Sequence, residues 1–173
     1  TDTEGTEVSN ATTYRYLIAP NSPPLVTFIY GSINNTSKPV QFQHPTSKIE
    51  HNTYIQPNTK LRFSIALDPE VWSPEKGDGV LFGVYIVKNE TEKKVFSRYI
   101  DPKNNFTERK WNDFEIDLSS YSNENLTMLF VTSGGAKNDT RYDWAWWGEP
   151  KLVRISKNLT KSQNLDSTYL MGI

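Results

Sequence analysis

A period of two runs through this chain, and it restricts the fold more than any other feature. Lys60-Leu-Arg-Phe-Ser-Ile-Ala-Leu67 puts Leu61, Phe63, Ile65 and Leu67 on one side, which suits a half-buried strand and no helix. Lys94 to Ile100 alternates in the same way, and Trp111, Phe114, Ile116 and Leu118 mark a further strand. Leu25–Tyr30, Asn125–Thr132 and Lys151–Ile155 are β-rich runs, and Val80–Val87 is apolar throughout, as a strand inside a sandwich would be. Asp68-Pro69, Gly77-Asp-Gly79, Asp101-Pro102, Gly134-Gly135 and Glu149-Pro150 separate the runs with turn chemistry. No segment of helical length carries a 3.6-residue apolar stripe. Many short strands with frequent turns predict an all-β fold, a sandwich or barrel.

A length of 173 residues suits one such domain with short extensions. Residues 1–24 are read as an N-terminal extension: a polar stretch, then Thr13–Ile18 as a strand with Tyr14, Tyr16 and Ile18 on one side, then a connector stiffened by Pro20, Pro23 and Pro24. Residues 25–155 form the sandwich. Residues 156–173 are a polar linker ending in an apolar strand candidate that carries Tyr169, Met171 and Ile173.

Asn-X-Ser/Thr occurs eight times without an intervening proline, starting at Asn10, Asn34, Asn35, Asn89, Asn105, Asn125, Asn138 and Asn158. Random order of the same residues would give about three. The triplets span the whole chain, and they predict covalent N-glycans and a location outside the cytoplasm. Asn34 and Asn35 overlap, so one of the two is expected to be modified. Cysteine is absent, which removes disulfides and thiol chemistry and points to a prokaryotic surface protein. Lys plus Arg total 19 against 20 Asp plus Glu, so no electrostatic footprint for nucleic acid exists. No apolar run is long enough to span a bilayer.

From His44 to Leu152 the chain resembles a known family. The residues that carry the likeness are His44-Pro-Thr-Ser47, Leu61 to Gly79 with its Asp68-Pro-Glu-Val-Trp72 core, Phe96-Ser-Arg-Tyr-Ile-Asp-Pro-Lys-Asn-Asn105, Trp111-Asn-Asp-Phe-Glu-Ile-Asp-Leu118 and Tyr142-Asp-Trp-Ala-Trp-Trp-Gly-Glu-Pro150. They are similar to the jelly-roll domain of extracytoplasmic parts of prokaryotic membrane glycosyltransferases and surface proteins, related in shape to galactose-binding-like carbohydrate modules. The resemblance implies a jelly-roll β-sandwich with terminal strand extensions.

Two kinds of site follow as expectations. Trp146 and Trp147, with Asp143 and Glu149, have the chemistry of a sugar platform, because aromatic faces stack on pyranose rings while carboxylates hold hydroxyls. The competing expectation is that the Trp block fills the core, with Trp144 and Trp146 inward and Trp147 outward. Asp68, Asp78 and Asp143 sit at turns where a calcium ion can bridge strand ends, although such aspartates more often cap backbone groups. Catalytic motifs are missing: neither His44 nor His51 belongs to a metal or nucleophile signature, so a non-catalytic protein is expected.

The leading functional expectation is a subunit of a surface filament, assembled head to tail from copies of the chain. A strand on a stiff connector would leave its own domain and complete a neighbour's sheet. Tyr14, Tyr16 and Ile18 are the first choice of donor, and the tail with Tyr169, Met171 and Ile173 is the second. The alternatives are a carbohydrate-binding module and an extracytoplasmic domain of a membrane enzyme.

Overall fold

The structure is a computed structural model. It describes residues 3–9, 12–18, 26–155 and 165–170, with side chains from Phe28 to Arg154 and from Ser167 to Leu170. The strands are β1 (Thr3–Ser9), β2 (Thr12–Ile18), β3 (Val26–Ile33), β4 (Thr36–Gln43), β5 (Ser47–Ile55), β6 (Thr59–Leu67), β7 (Val80–Lys88), β8 (Thr91–Ile100), β9 (Asn112–Asp117), β10 (Glu124–Gly134), β11 (Ala145–Ile155) and β12 (Leu165–Tyr169). The helical elements among the described residues are three 3-10 turns of three residues each, so none is long and apolar enough to cross a membrane.

Two antiparallel sheets face each other. The first runs β1-β2-β5-β10-β7-β8 and the second β3-β4-β11-β6-β9, with β12 added on β11. From β4 to β11 the chain forms two four-stranded sheets, β5-β10-β7-β8 over β4-β11-β6-β9. That order is the wiring of an eight-stranded jelly roll, the fold that the family resemblance implies.

The alternation becomes a core. Leu61, Phe63, Ile65 and Leu67 of β6 face Phe82, Val84 and Ile86 of β7 and Met128 and Phe130 of β10, all buried in one cluster. Trp147 sits at its centre, edge-on to Phe82, Phe130 and Phe63 with ring centroids 5.0, 4.9 and 5.4 Å away. Such T-shaped pairs are worth about 0.5–1.5 kcal/mol beyond burial alone.

Both ends of the chain return to their own sandwich, which corrects the expectation that the first donor candidate is held away from it. β2 pairs antiparallel with β5 through Thr13↔Asn52, Tyr14↔His51, Arg15↔Glu50 and Tyr16↔Ile49. β1, in a stretch read as polar, pairs with β2 along its whole length. The connector 19–25 lies outside the described residues. The tail forms β12 on β11, from Lys151↔Tyr169 to Ile155↔Leu165. Met171 and Ile173 lie outside the described residues.

Candidate functional site

The Trp block splits across sheet β3-β4-β11-β6-β9. Trp147 points between the sheets and is fully buried, and its indole N–H donates to Gln43 Oε1 at 2.8 Å. Trp146, its neighbour on β11, faces the outer side, where Ile33, Val40, Ala66 and Phe42 form a second small cluster. Trp111 lies over it with ring centroids 5.7 Å apart and planes 27° from parallel. Trp146 is left 4% exposed. Neither ring offers a face to a sugar. The sugar platform expected at Trp146 and Trp147 is therefore corrected, and so is the inward–outward assignment, since Trp147 is the core residue. The glycines on this face are set by contact: a Cβ on Gly31 would lie 2.6 Å from Trp146 Cζ3, and one on Gly148 would lie 2.8 Å from Trp111 Cζ3.

Asp143 is also buried, and it is paired. Its Oδ1 lies 3.3 Å from Lys103 Nζ, and neither side chain is exposed. Burial pushes the Asp143 carboxyl up to about 7 against the pull of Lys103 and with a further push from Asp78. Gly77, at φ +68, makes room for the pair, because a Cβ there would lie 2.7 Å from Lys103 Nζ. The three aspartates expected to share a calcium ion do not converge. Asp68 caps the 3-10 turn Pro69–Val71 by accepting from Glu70 N–H at 2.9 Å. Asp78 Oδ1 and Asp143 Oδ2 are buried without a partner among the described residues, but the positive charge among these loops is already the Lys103 ammonium. Among the described residues, no group of three or more His, Cys, Asp or Glu is placed to hold a metal ion. These residues do not fit a calcium site.

Glu149 is the one expected sugar contact that reaches an open surface. It has a left-handed backbone (φ 48) at a register shift between Gly148 and Lys151, and its Oε1 accepts from Lys151 Nζ at 3.1 Å. It lines an open cleft of about 400 Å³ on the outer face of β11, β6 and β9. Lys38 on one side donates to Ser64 Oγ at 2.5 Å and Asp113 Oδ1 at 2.9 Å. Burial pushes the Asp113 carboxyl up, but bonds from Ser64 and Lys38 outweigh it and hold it below the usual range. On the other side Glu115 accepts from Lys60 Nζ at 2.5 Å and Arg62 Nε at 2.7 Å, and those two bonds lower its pKa. The Nη1 and Nη2 groups of Arg62 have no partner among the described residues. The cleft is thus a polar floor of fixed donors and acceptors. The sequence reading missed it, because Lys38, Arg62, Asp113 and Glu115 come from three strands and each looks like an ordinary outward-facing charge.

The sequon asparagines stand elsewhere. Asn34, Asn35, Asn89, Asn105, Asn125 and Asn138 are all exposed, and none lines the cleft. Asn34, Asn35, Asn89 and Asn138 have positive φ, between 47° and 62°, which marks them as turn residues. Asn105 Oδ1 accepts from Thr107 N–H at 3.2 Å and Thr107 Oγ1 at 2.7 Å. A second, wider hollow is flanked by Asn89 and Asn125. Asn10 and Asn158 lie outside the described residues.

No protein-family model matches the chain. A protein of Archaeoglobus fulgidus, described as uncharacterized, is 57% identical over an alignment of 126 residues that covers 69% of this chain and 32% of that protein. The chain spans about a third of that relative's length. Among solved structures, a Clostridium perfringens ZmpB structure of CBM51-2 with GlcNAc and INT domains overlays with a TM-score of 0.47 at 16% identity, over 93% of this chain and 29% of that one. The CBM51 of Clostridium perfringens GH95 with methyl-galactose gives 0.47 at 14% identity, over 73% and 79%. A cleaved adhesin domain of Lys-gingipain gives 0.42 at 14% identity, over 99% and 98%.

Proposed function

We propose that the chain is a non-catalytic, N-glycosylated module of an extracellular protein, and that it binds glycan in the cleft on the outer face of β11, β6 and β9. The observation that carries this is the cleft itself: opposed, hydrogen-bonded carboxylates and cations fixed on strands, with no partner for the Arg62 Nη groups among the described residues. Sugar hydroxyls need such pre-set donor and acceptor pairs, and side chains anchored on a sheet lose little entropy on binding. The exposed sequons support an extracellular setting. Glycans at Asn89 and Asn125 would crowd the hollow between them.

A glycan array followed by calorimetric titration tests the reading, with N-acetylglucosamine and galactosides included. Arg62→Ala and Glu115→Gln are exposed enough to keep the fold, and each is expected to weaken binding at least about tenfold, the scale of one lost charge-assisted hydrogen bond. No binding to any glycan, or binding indifferent to both substitutions, overturns it.

The filament expected from the sequence is not carried forward, because β2 and β12, the two candidate donors, both pair within their own sandwich.

A further inference from the structure

The outer face of β6 and β11 sets two cations side by side. Arg62 and Lys151 are paired positions in the ladder between those strands. Their neighbours Leu61, Phe63 and Leu152 point into the core, so Arg62 and Lys151 leave the sheet together on the opposite face. Like charges directly opposite across two strands repel and cost stability. Each has one carboxylate beside it: Arg62 Nε donates to Glu115 Oε2 at 2.7 Å, and Lys151 Nζ lies 3.1 Å from Glu149 Oε1. Lys60 Nζ takes the other oxygen of Glu115 at 2.5 Å, so Glu115 has no second oxygen for the guanidinium. The Nη groups of Arg62 are left without a partner among the described residues, on a side chain that is 39% exposed.

A guanidinium held through Nε keeps its outer edge, Nη1 and Nη2, for a second planar anion. A carboxylate fits that edge with two parallel hydrogen bonds, and its charge relieves the repulsion between Arg62 and Lys151. Asp113, Glu115 and Glu149 each face a cation, which offsets their own repulsion of an incoming anion. Asp113 Oδ2 and Glu149 Oε2 accept no hydrogen bond among the described residues, so both can take hydroxyl donors. Trp146 and Trp111, the two indoles beside the cleft, cover each other, so affinity has to come from charge rather than from stacking on a ring. We infer that the ligand of this cleft is an acidic sugar: a uronic acid residue whose carboxylate bridges Arg62 and Lys151 and whose hydroxyls donate to Asp113 and Glu149. The inference rests on the glycan-binding reading above and names its ligand class.

Calorimetric titration of the full chain with glucuronate and galacturonate oligosaccharides, with methyl esters of the same oligosaccharides, and with neutral and sulfated galactosides tests it. The ester keeps the shape of the sugar and removes its charge, so the comparison needs no variant. The acids are expected to bind at least about tenfold more tightly than their esters, the scale of one charge-assisted hydrogen bond. That gap is expected to narrow as salt rises from about 0.05 to about 0.5 M, because partly exposed charges are screened. Arg62→Gln and Lys151→Met are each expected to shrink it to less than about threefold. Acids and esters bound alike, or a neutral glycan preferred to both, overturn the inference and leave the glycan-binding reading standing. Sulfated sugars bound more tightly than uronates overturn the assignment of a carboxylate. No binding to any glycan overturns the inference and the reading together.

Discussion

Trp147 and Gln43 hold the two sheets together through one side-chain amide. Gln43 Oε1 accepts the indole N–H at 2.8 Å, and Gln43 Nε2 donates to Ser47 O at 2.8 Å and Phe130 O at 3.0 Å. Phe130 belongs to β10 of the opposite sheet, so the amide bridges the sandwich while the ring fills it. Gln43→Leu keeps the volume but leaves one buried donor and two buried acceptors short of a partner. Each unmet group costs about 1–3 kcal/mol. The expected loss is therefore at least about 3 kcal/mol in unfolding free energy, measured by urea denaturation. A loss under about 1 kcal/mol would mean that the amide is a spectator.

Gln41 makes the opposite prediction. It lies two residues before Gln43 on β4 and is fully buried, yet neither its Oε1 nor its Nε2 has a hydrogen-bond partner among the described residues. Replacing such a group by an apolar one of the same shape removes a desolvation penalty and costs no bond. Gln41→Leu is expected to raise stability by about 1 kcal/mol or more. If stability falls instead, the amide contributes in a way its surroundings do not reveal.

These two glutamines also show why part of the fold was hidden in the sequence. β6, β7 and β10 read clearly because their inward positions are Leu, Ile, Val, Met and Phe. β4 and β5 did not, because their inward positions include Gln41, Gln43, Ser47, His51 and Thr53, all buried. Polar side chains at inward positions break the hydrophobic alternation without breaking the strand. The Trp block failed for a different reason. A period of two tells which residues share a face, but not which face has the deeper cover. Trp111, 35 residues away in sequence, provides that cover for Trp146. The cleft depends on cross-strand neighbours such as Arg62↔Glu115 and Ser64↔Asp113, and register is not visible until the strands are paired.

Gly148 tests that cover. Trp111 lies against the backbone at Gly148, and a Cβ there would overlap its ring at 2.8 Å. Gly148→Ala is expected to push Trp111 off its stack on Trp146 and to cost about 1–3 kcal/mol, the usual range for overpacking. Because Gly148 also lines the cleft, glycan affinity should fall with it. Near-ultraviolet circular dichroism reports the stack. An unchanged spectrum and unchanged stability would show that Trp111 is free to move aside.

The Lys103–Asp143 pair gives a prediction in pH as well as in sequence. Both side chains are fully buried, so removing one partner strands the other. Lys103→Met is expected to cost about 3–5 kcal/mol at pH 8, whereas Lys103→Met with Asp143→Leu should recover most of it. The pH dependence has a definite sign. The carboxyl is raised from an ordinary 3.8 to about 7 in the folded protein. Between those values the folded state keeps a proton that the unfolded state has released, so the folded state binds more protons. Stability must then fall as pH rises from about 4 to about 7, and this contribution levels off above that. Unfolding free energies measured across the window in the natural chain and in Asp143→Asn separate this group from the rest. The slope should become less negative in Asp143→Asn, and identical slopes would show that Asp143 stays ionised throughout.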